Sequence, residues 1–384
     1  KSVFKGINGA GVLDYVSAWY LKASRFIRNT PVRCAFVSTN SISQGEQAGL
    51  LWKPLLKRFG INIHFAHRTF QWTSEARGKA AVFCVIIGFA AHDTKLKWLF
   101  EYETPKTVLP ERISARNINP YLVDAADVAI VRRSKPLCPV PEMVTGNQPI
   151  DGGNYLFTPR EKAEFIEKEP RSALFFKRWM GSQEFLNGIE RWCLWLGDCP
   201  PQQLKKMPES LKRVEAVQAF RAQSKRKQTQ KVAQTPTRFY LETIPSGHSI
   251  VVPKISSERR FYVPVGFIGP ETLCSDLVHL IPDAERYHFG VVSSLMHIEW
   301  MRYVAGRLKS DYRYSITFVY NNFPWPENPA EKQTLAVENA ARVVLEVRER
   351  FPDSSLADLY DPRIMPPDLL NAHQRLDRAV DACY

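Results

Sequence analysis

The sequence predicts an α/β chain in three parts: a sheet with flanking helices, an α+β region and a helical C-terminal segment. Two runs, residues 34–39 and 80–89, are rich in apolar and β-branched side chains, which is typical of strands. Apolar residues recur at helical spacing between these runs and again after residue 326. These patterns indicate that strands and helices alternate at first and that helices alone form the end.

The first part, residues 1–140, is predicted to hold the sheet. Three glycines, Gly6, Gly9 and Gly11, precede its first helix. A glycine-rich cofactor loop follows a strand, and only a few residues precede these glycines, so we interpret them as an ordinary loop. In chain order the predicted elements are a helix over about residues 12–27, a strand at 34–39, a helix at 47–59 ended by Gly60, and strands at 61–65 and 80–89.

The second part, residues 141–326, follows a proline-rich connector and begins near a tight turn at Asp151–Asn154. Residues 202–231 have helical spacing and many basic side chains, which predicts one basic helix of about eight turns. Lys225, Arg226 and Lys227 are its best candidates for contact with a polyanion. A solvated basic face is the alternative interpretation.

Further side chains in the second part have the donors that a phosphate group accepts from. Two hydroxyls and two guanidinium groups lie close together between two short apolar runs, where Glu258 weakens the positive charge unless it orients one of the arginines. The predicted phosphate contacts in this region are Ser256, Ser257, Arg259, Arg260, Arg302 and Arg307.

Residues 306–314 alternate charged residues with aromatic and small ones. On an extended backbone Lys309, Asp311 and Arg313 would share one face. Lys and Arg suit guanine O6 and N7 in the major groove, whereas Asp can accept from cytosine N4. A Lys and an Asp two residues apart could therefore read both bases of one G·C pair. A solvated strand face with an ion pair explains the same pattern without a ligand.

The composition favours a polyanionic partner. Lys and Arg total 52 against 39 Asp and Glu, a net charge of +13, and no basic amphipathic anchor for a membrane stands out. No apolar run approaches the ~18 residues of a membrane span, and the first residues lack the apolar core of a signal peptide. Seven scattered cysteines without metal-ligand spacing are typical of a reduced cytoplasmic protein with no metal site. Nucleic acid is the expected partner.

Several stretches resemble motifs of the MmeI-like family of DNA adenine methyltransferases, in the order in which that family has them. The likeness covers nearly the whole chain, from a late methyltransferase region through a recognition segment to C-terminal helices. The stretches that carry it are Val37–Ile42 with Gln44–Gln47, Phe65–Trp72, Cys84–Phe89, Ser256–Arg260, Gly306–Pro326 and Ser355–Pro362.

This resemblance implies a fold, a cofactor and a partner. Residues 1–140 would be the second half of a Rossmann-like class I methyltransferase sheet, residues 141–326 an α+β target recognition domain and residues 327–384 a helical C-terminal segment. The cofactor would be S-adenosylmethionine, with Leu13-Asp14-Tyr15 on the helix that borders its pocket. Double-stranded DNA would be the partner, in the bacterial cytoplasm.

The resemblance also implies roles for single side chains. An enzyme that methylates a base flips it out of the duplex and holds it against aromatic faces. Phe70, on a connection between two strands, matches the stacking position, with packing under a loop as the alternative. Lys309 and Asp311 would read the base pair beside the methylated adenine, where Lys first and Asp second goes with guanine. Arg313 would read a neighbouring pair.

Two elements that an adenine-N6 methyltransferase needs are missing from these 384 residues: the glycine loop that holds the cofactor and the Asn/Asp-Pro-Pro-aromatic loop that orients the amine. The nuclease region and helical linker of the family are missing too. We therefore expect a C-terminal part of a larger restriction–modification enzyme, with no catalytic residue of its own and unable to methylate or cut DNA alone. Mg²⁺ would be needed only by such a nuclease region.

Two alternatives stay open at this point. The first is a non-catalytic DNA specificity subunit that works with a separate methyltransferase chain. The second is a structural or phage-defence scaffold with a decayed catalytic half. A cofactor loop and an Asn-Pro-Pro-aromatic motif encoded immediately upstream would decide for the enzyme.

Overall fold

A computed structural model describes residues 2–72, 82–308 and 310–384, and the chain divides into two units. The first comprises Lys1–Leu137 and Trp300–Phe323, and the second comprises Cys138–Glu299 and Pro324–Tyr384. The chain thus leaves the first unit and comes back to it with the stretch that holds residues 306–314. The three predicted parts, with borders at 140 and 326, divide the chain differently, and those borders stay a prediction.

Helices and strands are mixed along the chain, and its last elements are helices, as the sequence predicted. The helices are α1 Ser17–Phe26, α2 Gly45–Phe59, α3 Pro159–Lys168, α4 Ser182–Asn187, α5 Pro201–Leu204, α6 Pro208–Ala222, α7 Lys227–Lys231, α8 Arg286–Ser293, α9 Leu295–Val304, α10 Glu331–Glu349, α11 Leu356–Leu359 and α12 Pro367–Asp381. The strands are β1 Arg33–Thr39, β2 Asn62–Trp72, β3 Val82–Ala90, β4 Lys97–Glu101, β5 Glu111–Ala115, β6 Val144–Thr145, β7 Leu156–Phe157, β8 Phe176–Met180, β9 Trp192–Leu194, β10 Ser249–Pro253, β11 Ile255–Ser256, β12 Gly266–Ile268, β13 Thr272–Cys274, β14 Val278–Pro282, β15 Gly306–Leu308 and β16 Asp311–Arg313.

The first unit is built on a five-stranded sheet in the order β1-β3-β2-β4-β5. Strand β3 pairs antiparallel with both β1 and β2, so β1 and β2 run parallel to each other with α2 between them in sequence. Tyr20 of α1 packs on this sheet, with its ring 5.4 Å from that of Phe89 and 5.8 Å from that of Trp52. All three side chains are buried, so α1 and α2 cover the same core.

Two predicted elements of the first unit differ from the structure. The first helix begins at Ser17 rather than near residue 12, because Leu13 has an extended backbone and the N–H of Asp14 bonds to the side chain of Gln47. Strand β2 runs on to Trp72 instead of ending at 65, since it stays paired with β3 through two irregularities in register. The predicted strand at 34–39 and the helix ended by Gly60 are confirmed.

The second unit contains two four-stranded sheets, β12-β10-β14-β6 and β13-β8-β9-β7. The rings of Phe157, Phe165 and Phe176 pack edge to face at 5.1 to 6.0 Å in its larger core. Helix α3 begins with a capping box, in which Thr158 and Glu161 each accept a hydrogen bond from the backbone of the other. Phe165 of this helix packs against Phe157 and Phe176 of the sheet.

The single basic helix predicted over residues 202–231 is wrong, because the structure has three helices there. Pro208 occupies the first turn of α6, and Met207 before it has a non-helical backbone, as a following proline ring demands. A second break separates α6, which ends at Ala222, from α7, which begins at Lys227. A continuous cationic face of eight turns therefore does not exist.

The C-terminal helices belong to the second unit. Helix α10 buries Val337, Ala341, Val344 and Val347, and α12 buries Leu369, Ala372, His373, Leu376 and Val380. Within the described ranges, none of the helices combines the length and the apolar composition needed to cross a bilayer.

Candidate nucleic-acid interface

Residues 306–313 contain a short β-hairpin in the first unit. Strand β15 pairs antiparallel with β16, so that Arg307 lies opposite Tyr312 and Leu308 lies opposite Asp311. The stretch is therefore two short strands rather than the one extended run that the sequence suggested. Lys309, the residue predicted to act with Asp311, lies outside the described residues.

The two faces of this hairpin differ in chemistry. On one face the guanidinium carbon of Arg307 lies 3.8 Å from the ring centre of Tyr312, and its Nη1 donates to the carbonyl of Ser310 at 2.8 Å. Asp311 and Arg313 share the other face because they are two residues apart in one strand. Arg313 is exposed and Asp311 is half-buried. Arg307, predicted to contact a phosphate backbone, is thus built into the hairpin itself.

The start of the hairpin lies against the start of α2 within the first unit. Gly45 has a φ of +52°, and a Cβ on it would lie only 3.2 Å from the Cα of Gly306. Glycine is the residue that tolerates both this left-handed backbone and this close approach. The hairpin is therefore seated on the sheet-bearing body of its own unit.

Side-chain amides tie the segment after the hairpin to the proline-rich connector. Nδ2 of Asn321 donates to the carbonyl of Arg133 at 3.0 Å, and Nδ2 of Asn322 donates to that of Val131 at 3.1 Å. The N–H of Arg133 in turn donates to the carbonyl of Thr317 at 3.1 Å. Part of the predicted connector is thus an ordered piece of the first unit.

Phe70 is a strand residue that pairs with Cys84 of β3, not a residue of the connection where the sequence placed it. Its ring centre lies 5.5 Å from that of Tyr102 and 6.4 Å from that of Trp72. Phe70 is half-buried, and Trp72 is 48% exposed. The aromatic group at this end of β2 therefore has a side that is open to solvent.

Sequence reasoning missed the two residues that support this aromatic group. The hydroxyl of Tyr102 is hydrogen-bonded to Nδ1 of His67 at 2.9 Å, and the imidazole of His67 stacks on Phe100 at 4.2 Å. Burial lowers the pKa of His67, so the ring is neutral in this contact at pH 7. The parallel pairing of β2 with β4 brings His67 beside Phe100. No local pattern in the sequence predicts this pairing.

Leu13, Asp14 and Tyr15 precede α1 rather than lie on it, which corrects the prediction of their position. A carboxylate oxygen of Asp14 accepts from Oγ of Ser41 at 2.5 Å, and its N–H donates to Oε1 of Gln47 at 2.9 Å. Since β1 ends at Thr39, these bonds hold Asp14 at the carboxyl end of that strand. Tyr15 is 81% exposed.

Lys225, Arg226 and Lys227 lie where α6 gives way to α7 in the second unit, and all three are exposed. Between Glu215 and Glu242 the sequence contains no acidic residue. The cations therefore form a local positive surface without a nearby carboxylate in sequence.

The second predicted phosphate-binding group surrounds the end of β11. Ser256 is only 4% exposed, and this burial argues against a direct contact by its hydroxyl. Ser257 is half-buried, and its Oγ accepts from the N–H of Arg259 at 3.4 Å, while the Arg259 side chain is exposed. Arg260 is half-buried beside it, and Arg302 is half-buried on α9.

The connection after β11 is anchored at its far end. The ring of Tyr262 stacks on that of His373 with centres 4.1 Å apart, and its hydroxyl donates to Asp377 at 2.6 Å. Both partners lie on α12. Helix α12 thereby holds the end of the segment that carries Arg259 and Arg260.

The described residues show no metal centre, since their His, Cys, Asp and Glu side chains form no group of three or more that could hold an ion. The positively charged side chains and the hydrogen-bonding face of the hairpin are the groups that could meet a ligand. They match the anionic backbone and the base edges of a nucleic acid.

Three family models match the chain in succession. The model "MmeI, DNA-methyltransferase domain" matches residues 1–101. The model "MmeI, target recognition domain" matches residues 124–327, and the model "MmeI, C-terminal domain" matches residues 328–384.

Known proteins that are similar over the whole chain include a curated relative and a solved structure. DNA methyltransferase A of Bacillus subtilis (strain 168) is 42% identical over 384 residues, which are 100% of this chain and 42% of that protein. The solved structure, of the Type IIL restriction-modification enzyme MmeI in complex with DNA, is 49% identical with a TM-score of 0.92, and the match covers 100% of this chain and 51% of that chain. The chain thus spans about half or less of the length of these proteins.

Proposed function

The chain belongs to the MmeI family of DNA methyltransferases, and from this premise we propose that it reads DNA sequence for a restriction–modification enzyme that methylates adenine N6. In this proposal it supplies the target recognition domain and the late part of the methyltransferase sheet. The observation that carries the proposal is the hairpin face with Asp311 and Arg313, seated on the sheet-bearing unit through Gly45 and Gly306.

The sheet of the first unit is, in this proposal, the second half of a Rossmann-like class I methyltransferase fold. Support comes from β1 and β2, which run parallel with α2 between them in sequence, as in the crossover units of doubly wound sheets. Strand β3 lies between them and runs the other way, and β5 runs antiparallel to β4, so the region departs from an all-parallel sheet at these two strands.

The cofactor would be S-adenosylmethionine, which supplies the methyl group when bound. Ligands of doubly wound sheets bind at the carboxyl ends of the strands, and Asp14 is held at the carboxyl end of β1 by Ser41 and Gln47. Leu13, Asp14 and the exposed Tyr15 therefore fit the border of such a site. The glycine loop that would hold most of the cofactor is absent from these residues.

Base reading would use Lys309 with Asp311, and Arg313 would read a neighbouring pair. A carboxylate accepts from cytosine N4 and a cation donates to guanine O6 and N7, and the shared strand face of Asp311 and Arg313 allows both side chains to enter one groove. Phe70, supported by Tyr102, would stack on the flipped adenine, because its cluster of rings is open to solvent on one side.

Contacts to the DNA backbone would come from exposed cations in the second unit, Lys225, Arg226, Lys227 and Arg259. Arg260, Arg302 and Ser257 would add partly buried donors. These contacts orient a protein on the duplex and make its affinity depend on salt, but they do not read sequence.

The 384 residues by themselves should not transfer a methyl group, because they contain neither the glycine loop nor the Asn/Asp-Pro-Pro-aromatic loop. The assay is transfer of labelled methyl from S-adenosylmethionine to DNA with the purified chain. Turnover beyond one methyl group per protein molecule would contradict this part of the proposal.

The decisive experiment is the enrichment of random-sequence duplexes by the purified chain at two salt concentrations, followed by sequencing. A discrete motif that contains an adenine next to a guanine is the expected result. Binding that depends on salt but selects no motif would contradict sequence reading by this chain. It would leave the backbone contacts in place.

A further inference from the structure

Arg221, near the end of α6, is a buried cation whose role the proposed function does not explain. Its side chain is 0% exposed, and the guanidinium uses all five of its N–H groups in hydrogen bonds to backbone carbonyls. Nε donates to Ile150 (3.0 Å), Nη1 donates to Val232 (2.9 Å) and Thr235 (3.1 Å), and Nη2 donates to Pro149 (2.8 Å) and Arg238 (2.8 Å).

The five carbonyls belong to two separate pieces of chain. Two lie at residues 149–150, before the first strands of the larger core, and three lie at residues 232–238, after α7. A buried charge is costly unless each of its polar atoms finds a partner, and burial lowers the pKa of Arg221. Arginine meets the requirement with five donors in a rigid plane, whereas lysine has three on a flexible stem.

A second buried side chain holds the same piece of chain. Tyr155 is 0% exposed, and its hydroxyl donates to the carbonyl of Pro236 at 2.7 Å. Residues 232–238 contain one short 3-10 helix, Val232–Gln234, so side-chain donors supplement the few hydrogen bonds that their own backbone makes. Arg221 and Tyr155 together close the base of residues 223–238, which we name the basic excursion.

The basic excursion carries exposed cations at its outer part. Lys225, Arg226, Lys227 and Lys231 are all exposed. Its own hydrogen bonds give it a defined shape, since Nε2 of Gln230 donates to the carbonyl of Ser224 at 2.7 Å and the N–H of Arg226 donates to Oγ of Ser224 at 3.2 Å.

We infer that Arg221 is a positioning residue that holds the basic excursion in the one conformation in which Lys225, Arg226 and Lys227 meet the phosphate backbone of duplex DNA. Arg221 does not touch the DNA, because it is buried. It acts by restricting the conformations of the basic excursion in the free protein, so that less conformational entropy is lost when the cations bind DNA. The inference rests on the proposed DNA-backbone contacts and adds the residue that organises them.

The test compares three variants of the 384-residue chain: R221K, Y155F and V217A. R221K keeps the positive charge and loses donors, and Y155F removes the single bond to Pro236. Val217 is buried on the same helix one turn earlier, so V217A is a control for loss of packing that leaves the five carbonyl contacts in place. Binding to a random-sequence duplex is measured against salt, and amide hydrogen exchange is measured without DNA, both below the melting temperature of every variant.

R221K should lower affinity at low salt by about three-fold or more and reduce the slope of log K against log salt by about one. Its amides in residues 223–238 should exchange about ten-fold faster or more. Y155F should change both readouts in the same direction by less, and V217A should leave the slope as it is.

An R221K variant with unchanged slope and unchanged exchange would overturn the inference, as would an equal reduction of the slope in V217A. If the unaltered chain shows no binding that depends on salt, the proposed backbone contact itself fails. The exchange data distinguish that outcome, because they report on the basic excursion without DNA.

Discussion

Asp311 and Arg313 show how little local sequence is needed to place two charged side chains on the face that we propose reads DNA. Two residues apart in one strand, they lie on one face of the hairpin, while Arg307 and Tyr312 stack on the other. The guanidinium of Arg307 is engaged by the ring of Tyr312 and the carbonyl of Ser310. The proposed base reading therefore depends on Asp311 and Arg313 with Lys309. The charge order along this face is therefore the property to change.

The double substitution Lys309→Glu with Asp311→Arg should move the preference at one base pair from guanine toward cytosine. Glutamate accepts from cytosine N4 and arginine donates to guanine on the other strand, and each good pair discriminates by about 1–3 kcal/mol. Enrichment of random duplexes should therefore shift by roughly ten-fold or more at that position. The matched control exchanges the exposed charges of α10, Glu331→Arg with Lys332→Glu, which keeps the same net charge. Selected sites that stay the same after the hairpin exchange would count against the assignment.

Phe70 gives a second prediction at the scale of one residue. In a methylating polypeptide that contains this chain, Phe70→Ala should weaken capture of the flipped adenine by about 1–3 kcal/mol, the usual contribution of an aromatic ring under a base. Phe70→Tyr keeps the ring and serves as the control. Fluorescence of 2-aminopurine at the target position reports the stacking, and equal signals from both variants would contradict the role.

At the scale of the element, the contact between the hairpin and α2 is expected to affect how the hairpin is oriented. The hairpin is short, and its start is set by close contact with the first turn of α2. A two-stranded ribbon of this size has little stability alone. We therefore expect its close contact with α2 to contribute to its orientation.

Gly45→Ala should disturb this seat. The substitution strains a left-handed backbone by about 1–2 kcal/mol and places a methyl group 3.2 Å from Gly306, so enrichment of a specific motif should weaken. Gly60→Ala is the matched control, since Gly60 ends the same helix with φ +64° and a Cβ there meets nothing within 4 Å. Equal motif enrichment by both variants would show that the seat does not orient the hairpin.

The cations between α6 and α7 are expected to act as a group through charge. Replacing Lys225, Arg226 and Lys227 by Gln should weaken binding to every sequence alike and lower the slope of log K against log salt by about 0.9 for each phosphate that is no longer neutralised. The exposed Lys168, Lys205 and Lys206, replaced together, form a control with the same change in net charge. A motif that changes with the first triple substitution would indicate base contacts instead.

At the scale of the whole molecule, the second unit keeps several imidazoles neutral. Burial lowers the pKa of His297 to about 3 and also lowers the pKa values of His288 and His373. His373 is fully buried, where its Nε2 is hydrogen-bonded to the hydroxyl of Tyr360 at 2.7 Å. Protonation of such a ring is favoured only after unfolding.

Stability should therefore fall as the pH drops below about 6.5, the pKa of histidine in an unfolded chain. The folded-state pKa values are lowered, so the unfolded state binds the extra protons. His297, whose pKa burial lowers to about 3, costs about 1.4 kcal/mol of unfolding free energy per pH unit between about pH 6.5 and that value. Above about pH 7.5 these groups add no further pH dependence. Denaturant titrations between about pH 5 and 8 measure the slope.

The variant His373→Gln should make the unfolding free energy depend less steeply on pH, because one proton fewer is taken up on unfolding. Glutamine does not titrate and can still accept a hydrogen bond from Tyr360. His248→Gln, which replaces an exposed imidazole, is the control. A slope that His373→Gln leaves unchanged would contradict the assignment of this pH dependence to the buried ring.

The sequence by itself determined the features that depend on residues close together in the chain. Strand 34–39, the helix that Gly60 ends and the C-terminal helices follow from the spacing of apolar residues and from turn chemistry, which act over a few residues. The motifs from Val37 to Pro362 identified the family for the same reason, since each is contiguous in the chain.

Only the tertiary structure decided which distant segments meet. It returned residues 300–323 to the first unit, placed Tyr102 and His67 beside Phe70, and divided the basic helix so that Arg221 is buried while Lys225–Lys227 are exposed. Each of these outcomes depends on contacts between residues far apart in sequence, such as the pairing of β2 with β4 or the carbonyls gathered around Arg221. The periodicity of a single segment does not identify such partners, because burial and hydrogen bonding depend on how the whole chain packs.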